Sequence, residues 1–237
     1  MSFVALENVS KVYQQTAPAN GAGSAVRVLS DVNVEIEQGE FVCLMGPSGS
    51  GKSTLLTVVG AMNRPTEGRL LIDGIDVYGL SEERRADFRR EYLGFVFQQH
   101  HLMPFLNALE NAMLPLATTK LSAREKRERA RAVLEKVGLT DKAARLPNQL
   151  SGGEQGRLAV ARAIVNEPPL LLADEPTGAL DSKTGREIIE VFLQLNANGQ
   201  TIFMVTHNPE NAALSHRTIN IVDGRVVREA AEWAVSF

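Results

Sequence analysis

The sequence predicts an α/β fold: a mainly parallel sheet covered by helices on both faces, with a helical lobe inserted in the middle. Three observations predict it. First, the apolar run Phe41 to Met45 leads directly into Gly46-Pro47-Ser48-Gly49-Ser50-Gly51-Lys52-Ser53-Thr54, a complete G-x-x-x-x-G-K-S/T pattern between a strand and a helix. Second, strand and helix patterns alternate again from Leu170 onward, as they do in parallel sheets. Third, residues 95–155 carry helical periodicity and little strand signal. The expected organisation is one domain, with a core of about 1–94 and 156–237 and a helical lobe of about 95–155.

The elements follow from local pattern. Phe3 to Val9 and Val32 to Ile36 have the mixed or alternating apolar residues of strands, and the Ala- and Gly-rich stretch 14–25 between them is expected as a loop. Thr54 to Met62 is the helix behind the glycine run. Arg69 to Val77 is expected as a hairpin turning at Asp73-Gly74. Ser81 can cap a short helix that carries Glu82 and Glu83 in its first turn. Ser122-Ala123-Arg124-Glu125 is a capping-box pattern; Ala130, Val133, Leu134 and Val137 follow at helical spacing, and Gly138 ends the run. Leu170 to Ala173 is a short buried strand. Asp181 or Ser182 starts a helix with Ile188, Phe192 and Leu195 on one face. Thr201 to Thr206 is a further strand, and Ile219 to Val227 a hairpin about Asp223-Gly224.

Composition narrows the class. The 237 residues are 44% hydrophobic and 22% charged, as in a globular protein able to bury its own core. The net charge of −3 argues against a general nucleic-acid surface. A single cysteine, Cys43, excludes a disulfide within the chain and is expected as a small core residue. Met1 to Glu7 lacks a secretory pattern, and no stretch reaches the ~20 apolar residues of a membrane span. Work at a membrane would need another chain to supply the span.

The chemistry sits in a few short runs. Glycines 46, 49 and 51 let the backbone wrap a polyphosphate, whose charge then faces loop amides and a helix start. Lys52 can reach the β- and γ-phosphates and Ser53 can offer its hydroxyl to Mg²⁺. A glycine turn with a surface lysine is the plain alternative, and the full spacing behind a strand disfavours it. Leu170-Leu171-Leu172-Ala173-Asp174-Glu175 is an apolar strand ending in two acids; Asp174 suits Mg²⁺ through water, and Glu175 can polarise a water attacking the γ-phosphate. Leu150-Ser151-Gly152-Gly153-Glu154 is a second glycine turn opening a helix, hence a second anion site. One ATP does not need both turns from one chain, whereas two chains arranged head to tail use both. Gln98 can reach metal and water. His207 can touch the γ-phosphate, or be a structural histidine at a strand end. Asp181 can signal across such a dimer or simply cap its helix, and Tyr13 can stack on adenine or pack at a strand end.

Taken in chain order, Tyr13, the 46–54 cradle, Gln98, the 150–154 turn, Asp174-Glu175, Asp181 and His207 resemble the ATP-binding cassette of ABC transporters over roughly residues 3–228. The Leu-Ser-Gly-Gly-Glu turn is the most specific of these elements. The resemblance implies a P-loop NTPase with a RecA-like core, an antiparallel β portion and an α-helical subdomain. Phe95-Val96-Phe97-Gln98, Leu109-Glu110-Asn111 with Leu114-Pro115-Leu116, and the run from Leu172 to Gly178 are similar to the lipoprotein-release and macrolide-efflux branch. What this implies is an ATPase at the cytoplasmic face of the inner membrane, peripheral to it. Two copies would close on two ATP with Mg²⁺ and drive separate transmembrane permease subunits in export, lipoprotein extraction or periplasmic mechanotransmission. With the chain ending at Phe237, the permease is expected as a separate polypeptide. Leu102, Met103, Phe105 and Leu106 border the groove where that partner would dock, or else pack inside the lobe.

Two departures from the branch stand out: Gly156, where a long polar residue is usual, and the long 14–25 loop beside Tyr13. Three rival functions remain at this level. A non-transporting ATPase regulating a cell-wall hydrolase through a membrane partner has the same sequence features. A soluble cassette acting on DNA or ribosomes is disfavoured by the single cassette and the lack of heptads, and a non-hydrolysing switch by Glu175 and His207.

Overall fold

The computed structural model describes residues 2–14 and 25–231. In chain order the elements are β1 (Val4–Gln14), β2 (Ala25–Ile36), β3 (Phe41–Met45), α1 (Lys52–Val59), β4 (Glu67–Ile72), β5 (Ile75–Asp76), α2 (Glu82–Tyr92), β6 (Leu93–Phe97), α3 (Ala108–Met113), α4 (Ala123–Lys136), α5 (Gly152–Ile164), β7 (Leu170–Asp174), α6 (Ser182–Ala197), β8 (Thr201–Val205), α7 (Pro209–Ala212), β9 (Arg217–Val222) and β10 (Arg225–Ala231). The expected 14–25 loop falls, apart from its two end residues, outside the described residues; Gln14 closes β1 and Ala25 opens β2. The chain forms two compact units, residues 1–87 with 204–237, and residues 88–203.

The first unit holds an antiparallel sheet in the order β2-β1-β4-β5. In β2 the residues Leu29, Val32, Val34 and Ile36 are buried while Asp31, Asn33 and Glu35 point outward, the alternation of a sheet with one face in the core. β1 departs from regular register after Leu6, where Asn8 takes φ 51° and donates its N–H to Asn33 Oδ1 at 2.8 Å. The β4–β5 hairpin turns at Asp73 and Gly74, both at positive φ (51° and 73°), as the Asp-Gly pair predicts. β3 reads differently: Phe41, Val42, Cys43 and Leu44 are all fully buried, as in a parallel strand covered on both faces. It runs parallel to β9, and β9 turns back into β10 through Asp223-Gly224. Burial pushes the Cys43 thiol up to about 12, so it is an unreactive core residue, as expected.

In the second unit, β6 and β7 pair in parallel from Leu93 with Leu170 to Phe97 with Asp174. Residues 95–97, which the sequence pattern groups with the helical stretch, instead finish a strand. Their aromatic and β-branched side chains suit a pleated surface, and five residues are too few for periodicity to separate strand from buried helix. The expected helices follow. Ser122 and Glu125 form the reciprocal capping box of α4, Ala130, Val133, Leu134 and Val137 are buried, and Gly138 ends the run at φ 68°. α6 buries Ile188, Ile189, Val191 and Phe192, whereas Leu195 is only half-buried near the helix end. Arg157 of α5 donates to Glu187 of α6 at 2.6 Å, at the edge of a packed α5–α6 face. Among the described residues, no helix is long and apolar enough to cross a membrane.

Candidate nucleotide-binding site

The glycine run lies in the first unit, between β3 and α1. A Cβ on Gly46 would stand 2.1 Å from the Ile221 carbonyl oxygen and 2.7 Å from Ser50 Oγ, so only hydrogen fits there. Gly51 holds φ 103°, and a Cβ there would stand 2.9 Å from the Val28 carbonyl oxygen; glycine is required for both conformation and space. The loop is fastened by its neighbours. Gly224 N–H donates to Ser50 O at 3.0 Å, and Ser50 N–H to Pro47 O at 3.2 Å. Lys52 is buried and donates from Nζ to the carbonyls of Gly46 and Pro47, each at 2.8 Å, which keeps its charge on the loop. α1 begins at Gly51 with no side-chain cap and no acid in its first turn. Ser50 Oγ is buried without a hydrogen-bond partner. An uncapped helix start, an orphaned hydroxyl and a loop closed to side chains together fit a polyphosphate. Ser53, exposed on the first turn, fits a hydroxyl ligand for Mg²⁺.

His207 and Tyr13 belong to the same unit. Thr206 N–H donates to Leu44 O at 3.2 Å, so exposed His207 leaves its strand beside the start of the glycine run. Asn208 next to it caps α7, accepting from Glu210 N–H at 2.8 Å. The Tyr13 ring is 40% exposed; Asn63 Nδ2 donates to its hydroxyl at 2.5 Å and Lys11 Nζ lies 5.0 Å from the ring centre.

The second unit brings together Gln98 and Glu175, two of the groups that sequence reasoning assigned to hydrolysis. Because Phe97 pairs with Asp174, Gln98 and Glu175 each lie one residue past the end of adjacent parallel strands. A Cβ on Gly178 would meet Gln98 Nε2 at 2.9 Å and Glu175 Oε2 at 3.2 Å, so amide and carboxylate flank the same small residue. Glu175 itself sits at φ 45°, held by Gly178 N–H donating to its carbonyl at 2.9 Å. A left-handed carboxylate residue is a costly conformation that concentrates at functional sites.

The 150–154 turn opens α5. Glu154 N–H donates to Ser151 Oγ at 3.3 Å, and Ser151 N–H donates to Glu154 Oε2 at 2.8 Å. Asp181 caps α6: it accepts from the N–H groups of Lys183 and Thr184 at 3.1 and 3.0 Å and from Thr184 Oγ1 at 2.7 Å. The Thr184 hydroxyl and its N–H hold this carboxyl below the usual aspartate range. Thr184 Cγ2 stands 2.3 Å from where a Gly153 Cβ would be, so the Asp181 cap and the Ser151 turn share one corner. Sequence reasoning missed Thr184, and also His100 and Arg162 near Gln98; none lies in a recognisable pattern, and only burial and bonding mark them.

Against known proteins, the ABC transporter family pattern matches residues 29–178. The chain is 47% identical over 225 residues to the ABC transporter ATP-binding protein YknY of Bacillus subtilis, covering 95% of each. It is 44% identical over 223 residues to the lipoprotein-releasing system ATP-binding protein LolD of Aquifex aeolicus, covering 94% of this chain and 95% of that one. It is also 48% identical over 204 residues to the macrolide export ATP-binding/permease protein MacB 1/2 of Paracoccus denitrificans, spanning 86% of this chain but 30% of that longer protein. Among solved structures it matches the dimeric post-hydrolysis cassette MJ0796, bound to ADP and Pi, with a TM-score of 0.86 at 44% identity over 98% of this chain and 99% of that one. With the family pattern covering more than half of the chain and these relatives nearly all of it, the protein belongs to the ABC transporter family and is one of its ATP-binding cassettes.

Proposed function

We propose that this ATPase works as a head-to-tail pair of identical chains around two Mg-ATP and drives separate transmembrane subunits from the cytoplasmic face of the inner membrane. The observation that carries the hydrolytic part is the placement of Gln98 and Glu175 past the ends of paired strands, flanking Gly178. In this reading the 46–54 cradle holds the triphosphate of one ATP, Tyr13 stacks on its base, and Ser151, Gly152, Gly153 and Glu154 of the other copy approach from outside, with Asp181 close to that turn. Mg²⁺, held by Ser53, Gln98 and, through water, Asp174, would neutralise phosphate charge. Glu175 orients and deprotonates the attacking water, and His207 contacts the γ-phosphate. Contacts made only with the γ-phosphate favour the closed pair, and their loss on hydrolysis reopens it.

Residues 95–155 act as the helical subdomain that passes this motion on. Phe105 is 91% exposed and Met103 46%, an apolar surface on the loop after Gln98. That loop is held in shape by buried Asn111, which accepts from Met103 N–H at 2.8 Å and donates to Leu106 O at 2.7 Å. The likeness to LolD and MacB supports a permease of that branch as its partner.

Glu175→Gln tests the core of this reading. Turnover should fall about 10²–10⁴-fold, the scale of a lost general base, with ATP binding retained and ATP-dependent dimers accumulating in size-exclusion chromatography. Normal turnover would remove Glu175 from its role. The same tagged variant, recovered from membranes with Mg-ATP, should bring down a multi-span membrane protein; ribosomes or DNA in its place would redirect the function to a soluble process.

A further inference from the structure

Within the first unit, the end of β1 is held by β2 and by the stretch 63–66 that leads from α1 toward β4. Tyr13 pairs with Val26 of β2, two residues from Val28, whose carbonyl oxygen abuts Gly51. The ring and the glycine run are therefore carried by one short piece of β2. On the 63–66 side, Thr66 N–H donates to Ser10 O at 2.8 Å and Val12 N–H donates to Thr66 Oγ1 at 3.0 Å. Lys11 Nζ donates to Arg64 O at 2.7 Å, and Asn63 Nδ2 donates to the Tyr13 hydroxyl at 2.5 Å. The stretch is itself fastened to α1. Asn63 N–H donates to Thr57 O at 3.1 Å, and the hydroxyl of buried Tyr78 bridges Val58 O and Asn63 O at 2.7 and 2.9 Å.

A tyrosine ring near a strand end is free to swing between staggered side-chain torsions. This ring is not, because its hydroxyl is pinned by Asn63. The Lys11 ammonium, anchored on Arg64 O, lies 5.0 Å from the ring centre, within cation–π range. The residue nevertheless keeps 40% of its surface exposed.

We infer that Asn63 is a positioning residue for the nucleotide base: with Lys11 it fixes the Tyr13 ring so that a base stacks on the face opposite Lys11, and it ties that ring to α1, the helix opened by the glycine run. This rests on the reading of Tyr13 as the base-stacking residue. A ring already held in place needs less ordering when the base arrives, and ordering one such side chain corresponds to about two- to tenfold in affinity. Stacking on an aromatic face acts on the base and adds nothing to the phosphates. The signature is a change in ATP affinity that inorganic tripolyphosphate does not share.

The test is calorimetric titration of the whole chain with ATP and with inorganic tripolyphosphate, without Mg²⁺ so that no turnover intervenes. The proteins are the wild type, Asn63→Ala, Tyr13→Phe, the double variant of these two, and Tyr13→Ala. Tyr13→Ala should lose about tenfold or more in ATP affinity, the scale of one stacked base. Asn63→Ala and Tyr13→Phe break the same bond from its two ends, and each should lose about two- to tenfold. The double variant should bind ATP no worse than the weaker single one, because one bond cannot be lost twice. Tripolyphosphate affinity should stay at the wild-type level throughout. Wild-type ATP affinity in Asn63→Ala or in Tyr13→Phe overturns the inference, as do losses that simply add in the double variant. A parallel loss of tripolyphosphate affinity also overturns it, since Asn63 would then support α1 and the phosphate cradle rather than the base. Tyr13→Phe keeps the test decisive if Asn63→Ala does not fold. Unchanged ATP affinity in Tyr13→Ala would instead remove the stacking reading itself; a loss there with none in the other two variants leaves that reading standing and the role of Asn63 refuted.

Discussion

Two glycine-rich turns open helices in this chain, and they meet the same physical problem in opposite ways. Any helix start leaves amides without internal partners and favours negative charge. At α1 that demand is left open, because Gly51 cannot cap and the first turn contains no acid. At α5 it is met internally by the Ser151–Glu154 box, with a carboxylate already in place. The glycines differ to match. Those of the first turn let backbone approach backbone, Gly46 against Ile221 and Gly51 against Val28, whereas Gly153 and Gly156 of the second let α5 approach the Thr184 and Ile188 side chains of α6. The first turn offers what an anion needs, open amides with no acid beside them. The second is a rigid, self-satisfied edge, suited to pressing its exposed Ser151 on something brought from outside.

The largest effect should come from closing the first turn. Gly46→Ala places a methyl 2.1 Å from a backbone carbonyl, where no flexible side chain can give way. ATP affinity should drop about tenfold or more, equivalent to about 1.4 kcal/mol, as read by calorimetric titration. Unchanged affinity would show that the tight backbone approach is unnecessary for phosphate binding. Ser151→Ala sharpens the contrast at the second turn. It removes the hydroxyl half of the capping box, costing about 1 kcal/mol. Tm should fall by about 2–4 °C, the shift expected for that loss in a chain of this size. ATP binding to the single chain should hold, with turnover lost in proportion to dimer formation. A tenfold loss of ATP affinity in the monomer would mean that the second turn serves the nucleotide of its own chain, and the contrast would fail.

What sequence could show divides along the same line. The cradle was legible because its chemistry lies in consecutive residues at fixed spacing, and the Ser151 box because a cap is a four-residue pattern. The Asp73-Gly74 and Asp223-Gly224 turns were legible for the same reason. The strand at 93–97 was not, since five apolar residues satisfy strand and helix alike until Leu93 is seen paired to Leu170. His100 and Arg162 were invisible because their meaning lies in a contact across sixty-two residues and in the burial of one ring nitrogen. Asp181 allowed two roles in sequence, and its three cap bonds establish one of them without touching the other.

Gly156 is the instructive small case. In sequence it looks like a weak point, a glycine inside a helix that would gain about 1 kcal/mol from alanine. In the structure it is buried, and an added Cβ would lie 2.9 Å from Ile188 Cδ1, the tip of a fully buried side chain, and in ordinary contact with His100. Displacing such a tip takes back part or all of the propensity gain, since overpacking costs about 1–3 kcal/mol when nothing yields. Gly156→Ala should therefore leave stability within about 1 kcal/mol of wild type, a Tm change of no more than about 2–4 °C. A loss well beyond that range in thermal melts would show that the α5–α6 spacing is as exacting as the backbone approach at Gly46, and the two turns would then differ in what their glycines face but not in how strictly they are required.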